Sequence, residues 1–303
     1  MIDSTQVHVI ERVTRVAPFG VRFWDTVSGS VIGDGLSITA YPPANPALSV
    51  QAFVNRSGVY ALQNVPGLRA IENGAGDANF WATLPPGQPF VIEVIDSYRR
   101  FQPFLFTADL PVQGLFTLTC GPDSPPLSPL APVMAMVPLF STPTRPVTGG
   151  MAVLRADLWD LAANVPASWA LLTISIAGLP LVSGFADFYG RIALIFPYPP
   201  PVDFIDADSP DSPIGMEGPP LTQQQWAVQL QAAYTPLNPV PLIPDLCTTL
   251  TQLSATLWVD AKRTQPLTQA TLVFGQELIV RSQDTGGLTP PSVLLITPAG
   301  SPP

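Results

Sequence analysis

The sequence predicts an all-β protein: two sandwich-like domains related by internal duplication, joined by a Pro-rich connector and followed by a small α+β C-terminal tail. Three observations lead to this class. One pattern occurs in both halves. It runs from Phe23-Trp24-Asp25 through an alternating segment, Leu36 to Tyr41, to Asn55-Arg56-Ser57-Gly58-Val59-Tyr60; it then runs from Leu158-Trp159-Asp160 through Leu171 to Ile176 to Asp187-Phe188-Tyr189-Gly190-Arg191. The 38 prolines and 22 glycines sit in a chain that is 47% hydrophobic, the composition of short strands and many turns rather than of a disordered Pro-rich polymer. Finally, Glu and Lys, common on exposed helices, are scarce beside Asp and Arg, and Lys262 is the lone lysine.

At 303 residues the chain has room for two domains with separate cores. Residues 1–17 form an N-terminal arm in which Val7–Val13 alternates, as an edge strand or a segment pairing with a neighbour would. The first sandwich domain occupies 18–118, with strands at Gly20–Trp24, Leu36–Tyr41, Val50–Phe53, Gly58–Leu62, Phe90–Asp96 and Pro103–Leu110. Ser28-Gly29, Gly33-Asp34-Gly35, Asn73-Gly74 and Pro85-Pro86-Gly87 supply turns.

Residues 119–150 read as an extended, semi-rigid connector whose apolar insert, Val133–Val137, packs along a surface. The second sandwich domain, 151–243, carries strands at Ala152–Trp159, Trp169–Ile176, Gly184–Asp187, Arg191–Phe196 and Trp226–Tyr234. The last could pass for a helix, but Trp226, Val228, Leu230, Ala232 and Tyr234 alternate with Gln225, Ala227, Gln229 and Gln231, so period two decides for a strand. Trp169–Ala186 has nearly the length and apolarity of a membrane span. Gly178 and Pro180 interrupt it, and no basic anchors flank it, so strand, turn and strand is the expectation. The tail, 244–303, begins with a helix at Asp245–Leu253, opened by Pro244-Asp245 and carrying Leu246, Leu250 and Leu253 on one face. Strands Thr256–Val259 and Thr271–Arg281 follow, and Leu288–Pro303 is expected to be disordered or draped on a partner.

Little in the chain points to catalysis. The only histidine, His8, lies in the arm with no nucleophile turn around it. Cys120 and Cys247 are too distant in sequence for a dense disulfide framework or a zinc ligand set and read as free, mostly buried thiols. Gly33-Asp34-Gly35 and Gly74-Ala75-Gly76-Asp77 precede no helix that could receive a phosphate. Asp203, Asp206, Asp208, Asp211 and Glu217 could gather calcium, yet their spacing fits consecutive turns in a solvated loop. A glycosidase would need two facing carboxylates, and the aspartates nominate no pair. Trp81, Tyr98, Phe101 and Tyr198 near loop ends could bind sugar or serve as buried anchors. The expectation is therefore no catalytic, cofactor-binding or metal residue and no cofactor. The net charge of −9 with scattered basic residues argues against nucleic acid. Residues 1–6 lack a secretory signal, so synthesis in the cytoplasm is expected.

Two resemblances attach to particular residues. Trp24-Asp25, Gly33-Asp34-Gly35-Leu36, Ser57-Gly58-Val59-Tyr60 and Val65-Pro66-Gly67 resemble the transthyretin-like or carboxypeptidase-regulatory-like sandwich, which implies an accessory, non-catalytic module over about a third of the chain. Phe101–Phe106, Leu139–Pro146 and Asp187–Pro200 are similar to blocks of uncharacterised structural proteins from phage-tail-like contractile injection systems. This second resemblance implies a non-enzymatic subunit of a particle, in the baseplate or at a sheath terminus. Its partners would be other subunits or copies of itself, held by the arms Val7–Val13, Val133–Val137 and Leu288–Ile296. A carbohydrate- or surface-binding module of fibre or adhesin type is the alternative.

Overall fold

The computed structural model describes residues 15–120, 136–200, 220–287 and 292–299. The chain is all-β. Its first half contains β1 (Phe19–Val21), β2 (Phe23–Asp25), β3 (Val31–Ile32), β4 (Leu36–Tyr41), β5 (Val50–Gln51), β6 (Phe53–Val54) and β7 (Tyr60–Leu62). Two short helices, α1 (Arg69–Glu72) and α2 (Ala78–Ala82), lead to β8 (Gln88–Asp96), β9 (Phe104–Leu110) and β10 (Val137–Leu139). These strands form three sheets, ordered β1-β7-β6, β10-β2-β3 and β5-β4-β8-β9. Alternation turns Ile38, Ala40, Phe90, Ile92, Val94, Phe104 and Phe106 inward, where they meet Phe19, Phe23 and Leu62 from the facing strands.

The second half holds β11 (Met151–Asp160), β12 (Val165–Pro166), β13 (Leu171–Ile176), β14 (Leu179–Phe185), β15 (Arg191–Pro197) and β16 (Gln225–Ala233). After these come α3 (Leu246–Leu250), β17 (Ser254–Trp258), β18 (Gln269–Val273), β19 (Leu278–Ile279) and β20 (Leu294–Pro298). They curl into one ten-stranded sheet around Leu154, Leu172, Ile174, Leu194, Val228 and Ile296. Trp169–Ala186 is the strand–turn–strand expected from its interruptions, β13 paired to β14. No helix among the described residues is long and apolar enough to cross a membrane.

The duplication extends to strand register. Phe19↔Leu62 and Val21↔Tyr60 in the first half match Leu154↔Leu194 and Ala156↔Ile192 in the second. In each half the Trp-Asp strand has an antiparallel neighbour reached by the turn after Asp (β3 or β12) and a parallel neighbour arriving much later (β10 or β20). Leu139 lies opposite Asp25 as Ile296 lies opposite Asp160. Even single bonds repeat: Thr26 N donates to Leu139 O, and Leu161 N donates to Ile296 O. Trp24 is buried whereas Trp159 is half-buried, so the aspartate is the more faithfully repeated member.

Three expectations require correction. Leu288–Ile296 was to be a segment draped on a partner. Residues 288–291 lie outside the described residues, but Val293–Ile296 are buried and β20 is hydrogen-bonded between β11 and β17. A continuous apolar run between prolines is the signature of a strand covered on both faces. In the connector insert, residues 133–135 lie outside the described residues, while Val137 is buried in the first core as part of β10. Finally, the cysteines are not free: Cys120 and Cys247 form a disulfide across a sequence separation of 127, with Cα atoms 4.8 Å apart. Distance along the sequence does not bound distance in a fold rich in long-range pairing.

The disulfide joins the two halves, and so does packing. Asp245 caps α3 by accepting from Thr248 N, while Leu246 and Leu250 enter the core of the first half. Pro244 O accepts from Leu105 N, covering the edge of β9. Trp169 and Phe185 from the second half reach the same core, with Phe185 against Phe140 at 5.1 Å between centroids.

Candidate functional site

The best-organised polar groups sit on turns, where carboxylates and amides hold backbone N–H groups. Asn55 Oδ1 accepts from Ser57 N and Val59 N, and Asp187 Oδ1 accepts from Tyr189 N and Arg191 N at 2.8 and 2.9 Å. Both turns close through a glycine with positive φ, Gly58 at 71° and Gly190 at 78°. The same device recurs at Asp96, with Arg99 in the left-handed position, and at Asp260, with Arg263 there. In all four turns the side-chain oxygens are engaged in holding backbone N–H groups.

Two of these turns share more. Asp96-Ser97-Tyr98-Arg99-Arg100 and Asp187-Phe188-Tyr189-Gly190-Arg191 both read Asp-x-Tyr-x-Arg. In each, the arginine Nε donates to the aspartate Oδ2, at 3.1 and 2.9 Å, and the guanidinium lies over the tyrosine ring, 4.9 and 5.2 Å from its centroid. For Arg191 the Asp187 bond is the largest influence and raises its pKa; for Arg100 burial is the largest single influence and lowers it, but the Asp96 bond and the charges of Asp96 and Asp34 together outweigh burial and raise it too. The tyrosine rings remain 63% and 64% exposed. Sequence reasoning nominated Tyr98 but missed Tyr189, although the five-residue pattern is visible in the chain. Of the other aromatics nominated, Phe101 is buried between Arg100 and Arg145, and Tyr198 packs on Trp226 and Phe274 while its hydroxyl accepts from Gly275 N. Trp81 is half-buried against Phe80.

Asp25 and Asp160 occupy equivalent places and differ in one respect. Asp25 accepts two bonds from Arg145, at 2.8 and 2.6 Å, and others from Val27 N and Ser28 Oγ. Burial alone would push its carboxyl up, but Arg145 and the amide outweigh it and hold the pKa below the usual carboxylate value. Asp160 is 1% exposed; its Oδ1 accepts from Ala162 N and Ala163 N, but its Oδ2 has no hydrogen-bond partner. Tyr234 stands against Asp160, and burial first, then the charge of the Asp160 carboxylate and hydrogen bonding to it, push its phenol pKa strongly up. Beside them is a cavity of about 380 Å³ with apolar walls (Val165, Pro166, Leu237, Val240) and polar points at Ser168, Tyr234 and Asn238.

His8, the arm Val7–Val13 and the acidic residues Asp203, Asp206, Asp208, Asp211 and Glu217 lie outside the described residues. Among the described residues no three His, Cys, Asp or Glu side chains gather as a metal site would require.

No protein-family model matches the chain, and no curated protein matches it. Among solved structures it is similar to the Bacillus anthracis TIE protein (9% identity, TM-score 0.23), covering 89% of this chain and 33% of that one. It is also similar to a streptococcal ancillary pilin (10%, TM-score 0.22; 90% and 64% covered) and to BcpA, the major pilin subunit of Bacillus cereus (10%, TM-score 0.22; 93% and 60% covered). The chain thus spans about a third of the TIE protein's length. Scores this low carry no argument about function.

Proposed function

We propose that the chain is a non-enzymatic structural subunit of a large protein assembly, of the kind built by phage-tail-like contractile injection systems, in the baseplate or sheath-terminal region. The observation that carries this reading is the use of the ordered polar groups. The carboxylates of Asp25, Asp96, Asp187 and Asp260 hold turns, and the first three also hold arginines. That is how a rigid building block uses its charges. The arm Val7–Val13 supplies attachment in this reading. Co-sedimentation tests it: the tagged chain, expressed with its neighbouring genes, should travel with high-molecular-weight particles. Recovery solely as a free monomer from cells that contain such particles would overturn the proposal.

A surface-binding role is favoured by one different observation, the paired exposed Tyr98 and Tyr189 on matching Arg-braced turns. Rigid aromatic rings beside acidic side chains suit sugar faces. A glycan array separates the readings: saturable binding lost in Tyr98→Ala or Tyr189→Ala supports this one, and a blank array supports the scaffold.

A further inference from the structure

We propose that the working chain resides in an oxidising compartment and is there a substrate of a thiol–disulfide oxidoreductase, which closes Cys120–Cys247 once the two halves have docked. The proposal holds for either functional reading above. It starts from the use of sulfur: the chain has two cysteines, both are in this bond, and no free cysteine remains. The expectation of synthesis in the cytoplasm says where the chain is made; the bond says where it works.

A disulfide can be catalytic, regulatory or structural, and the fold decides among these. Catalytic exchange uses a pair close in sequence, as in Cys-x-x-Cys, or a further thiol that resolves the intermediate. Here the partners are 127 residues apart and the chain has no third cysteine. A regulatory bond has to bias an element with two arrangements. The segments carrying these sulfurs are each fixed by other means. Cys120 follows Leu118, which is buried in the core of the first half, and Phe116, whose N donates to Gly20 O. Cys247 lies in α3 between Leu246 and Leu250, both in that same core, and Asp245 caps the helix. Pro244 O, just before it, accepts from Leu105 N. Reduction therefore leaves both residues in place. The bond is structural, and structural disulfides belong to oxidising surroundings, because the thiol pools of a reducing cytosol keep such pairs open.

The same geometry defines the reaction. The loop closed by the bond encloses β10 to β16, so pairing waits until α3 has been made and has docked. Docking sets the Cα atoms 4.8 Å apart, within the span a disulfide bridges. Both cysteines are half-buried against the first core rather than enclosed in it, which leaves them open to a protein oxidant. The thiolate of one attacks the disulfide of the oxidoreductase, expels one donor sulfur as thiolate and forms a mixed disulfide. The second cysteine, as thiolate, attacks the chain's own sulfur in that intermediate and expels the other donor sulfur. Two electrons and two protons pass from the chain to the donor, which ends as a dithiol. Two cysteines allow one pairing, so the partner has to oxidise and never to isomerise.

The test is thiol trapping in the cells that make the chain naturally. Acid quenching, denaturation and alkylation with a heavy maleimide count free thiols as gel shifts, with Cys120→Ser/Cys247→Ser as the unshifted reference. No adduct before reduction and two after it is the expected result. Two adducts in the unreduced sample overturn the proposal, because the chain then works in its reduced form. So does a mixture whose ratio shifts when the cytosol is challenged with peroxide, the behaviour of a sensor. A second measurement concerns the partner. Purified chain, reduced and freed of reductant, is mixed with an oxidised thioredoxin-fold dithiol oxidase; one donor dithiol should appear per chain and none with the double variant. Absence of transfer to the folded chain overturns the substrate assignment. Limited proteolysis well below the thermal midpoint should give the same fragments for reduced and oxidised chain. Halves that separate only on reduction would make the bond a latch and overturn the structural role.

Discussion

Breaking the Cys120–Cys247 bond tests how far the two halves depend on one another. A cross-link stabilises mainly by restricting the unfolded chain, and the effect grows with the loop it closes. For a separation of 127 residues the chain-entropy relation gives about 16 cal/mol/K, or about 5 kcal/mol at 25 °C. Spread over the unfolding entropy of a 303-residue chain, about 2 cal/mol/K per residue, this corresponds to a fall of about 8 °C in Tm. The native state should survive, because Leu246 and Leu250 remain buried in the first core and Pro244 O still accepts from Leu105 N. Guanidinium unfolding followed by tryptophan fluorescence, with and without a phosphine reductant, measures the loss, and Cys120→Ser/Cys247→Ser should reproduce the reduced curve. Two titratable thiols in unreduced, denatured protein, or a double variant with the wild-type midpoint, would refute the reasoning.

Other expectations concern single sites. Gly190→Ala should destabilise far more than Gly58→Ala: a Cβ at Gly190 would lie 2.3 Å from Leu158 O, which is backbone, whereas at Gly58 it would meet the Val31 side chain at 2.9 Å. Both also carry the left-handed penalty of about 1 kcal/mol, so chemical denaturation should separate them clearly, and equal losses would contradict the packing. Asp25→Asn should cost about 3–5 kcal/mol at neutral pH by leaving Arg145 half-buried without its partner. The Asp25 pKa is lowered on folding, so its contribution is present above the unfolded carboxyl value and disappears as pH falls through the folded one. The gap between wild type and variant should therefore close in acid, and a constant gap across pH would count against the pair. Truncation before Val293 removes a central strand, so limited proteolysis should cut the second half freely; native-like protection would show that β20 is dispensable.

Much of this was legible because period-two alternation survives wherever one face is buried. Leu36–Tyr41 matches its expected limits and the Gln-rich strand near Trp226 is displaced by one residue, whereas the strand expected from Trp169 starts at Leu171 and the helix capped by Asp245 ends at Leu250 rather than Leu253. The repeat was legible through Asp25 and Asp160, whose carboxylates must take the first amides after their strands. What escaped was non-local. Val137–Leu139 and Leu294–Pro298 are too short and too flanked by proline to announce themselves, and their role is set by strands more than a hundred residues earlier. The disulfide belongs to the same class, since no short window of sequence contains both Cys120 and Cys247. The Asp-x-Tyr-x-Arg turns are local and legible, since each lies within five consecutive residues, Asp96–Arg100 and Asp187–Arg191.

The late parallel partner in each half also dictates an order of events during synthesis. A ribosome releases β11 long before β20, so the second sheet must wait, open along its middle, until almost the last described residue has emerged. During that interval β11 and β17 border a slot shaped for one Leu-Leu-Ile strand, and a similar segment from a neighbouring nascent chain could fill it in error. The first half has already received β10 by then and is closed. The second half is thus most open to mispairing in the interval before β20 emerges, when its own closing strand competes with those of its siblings.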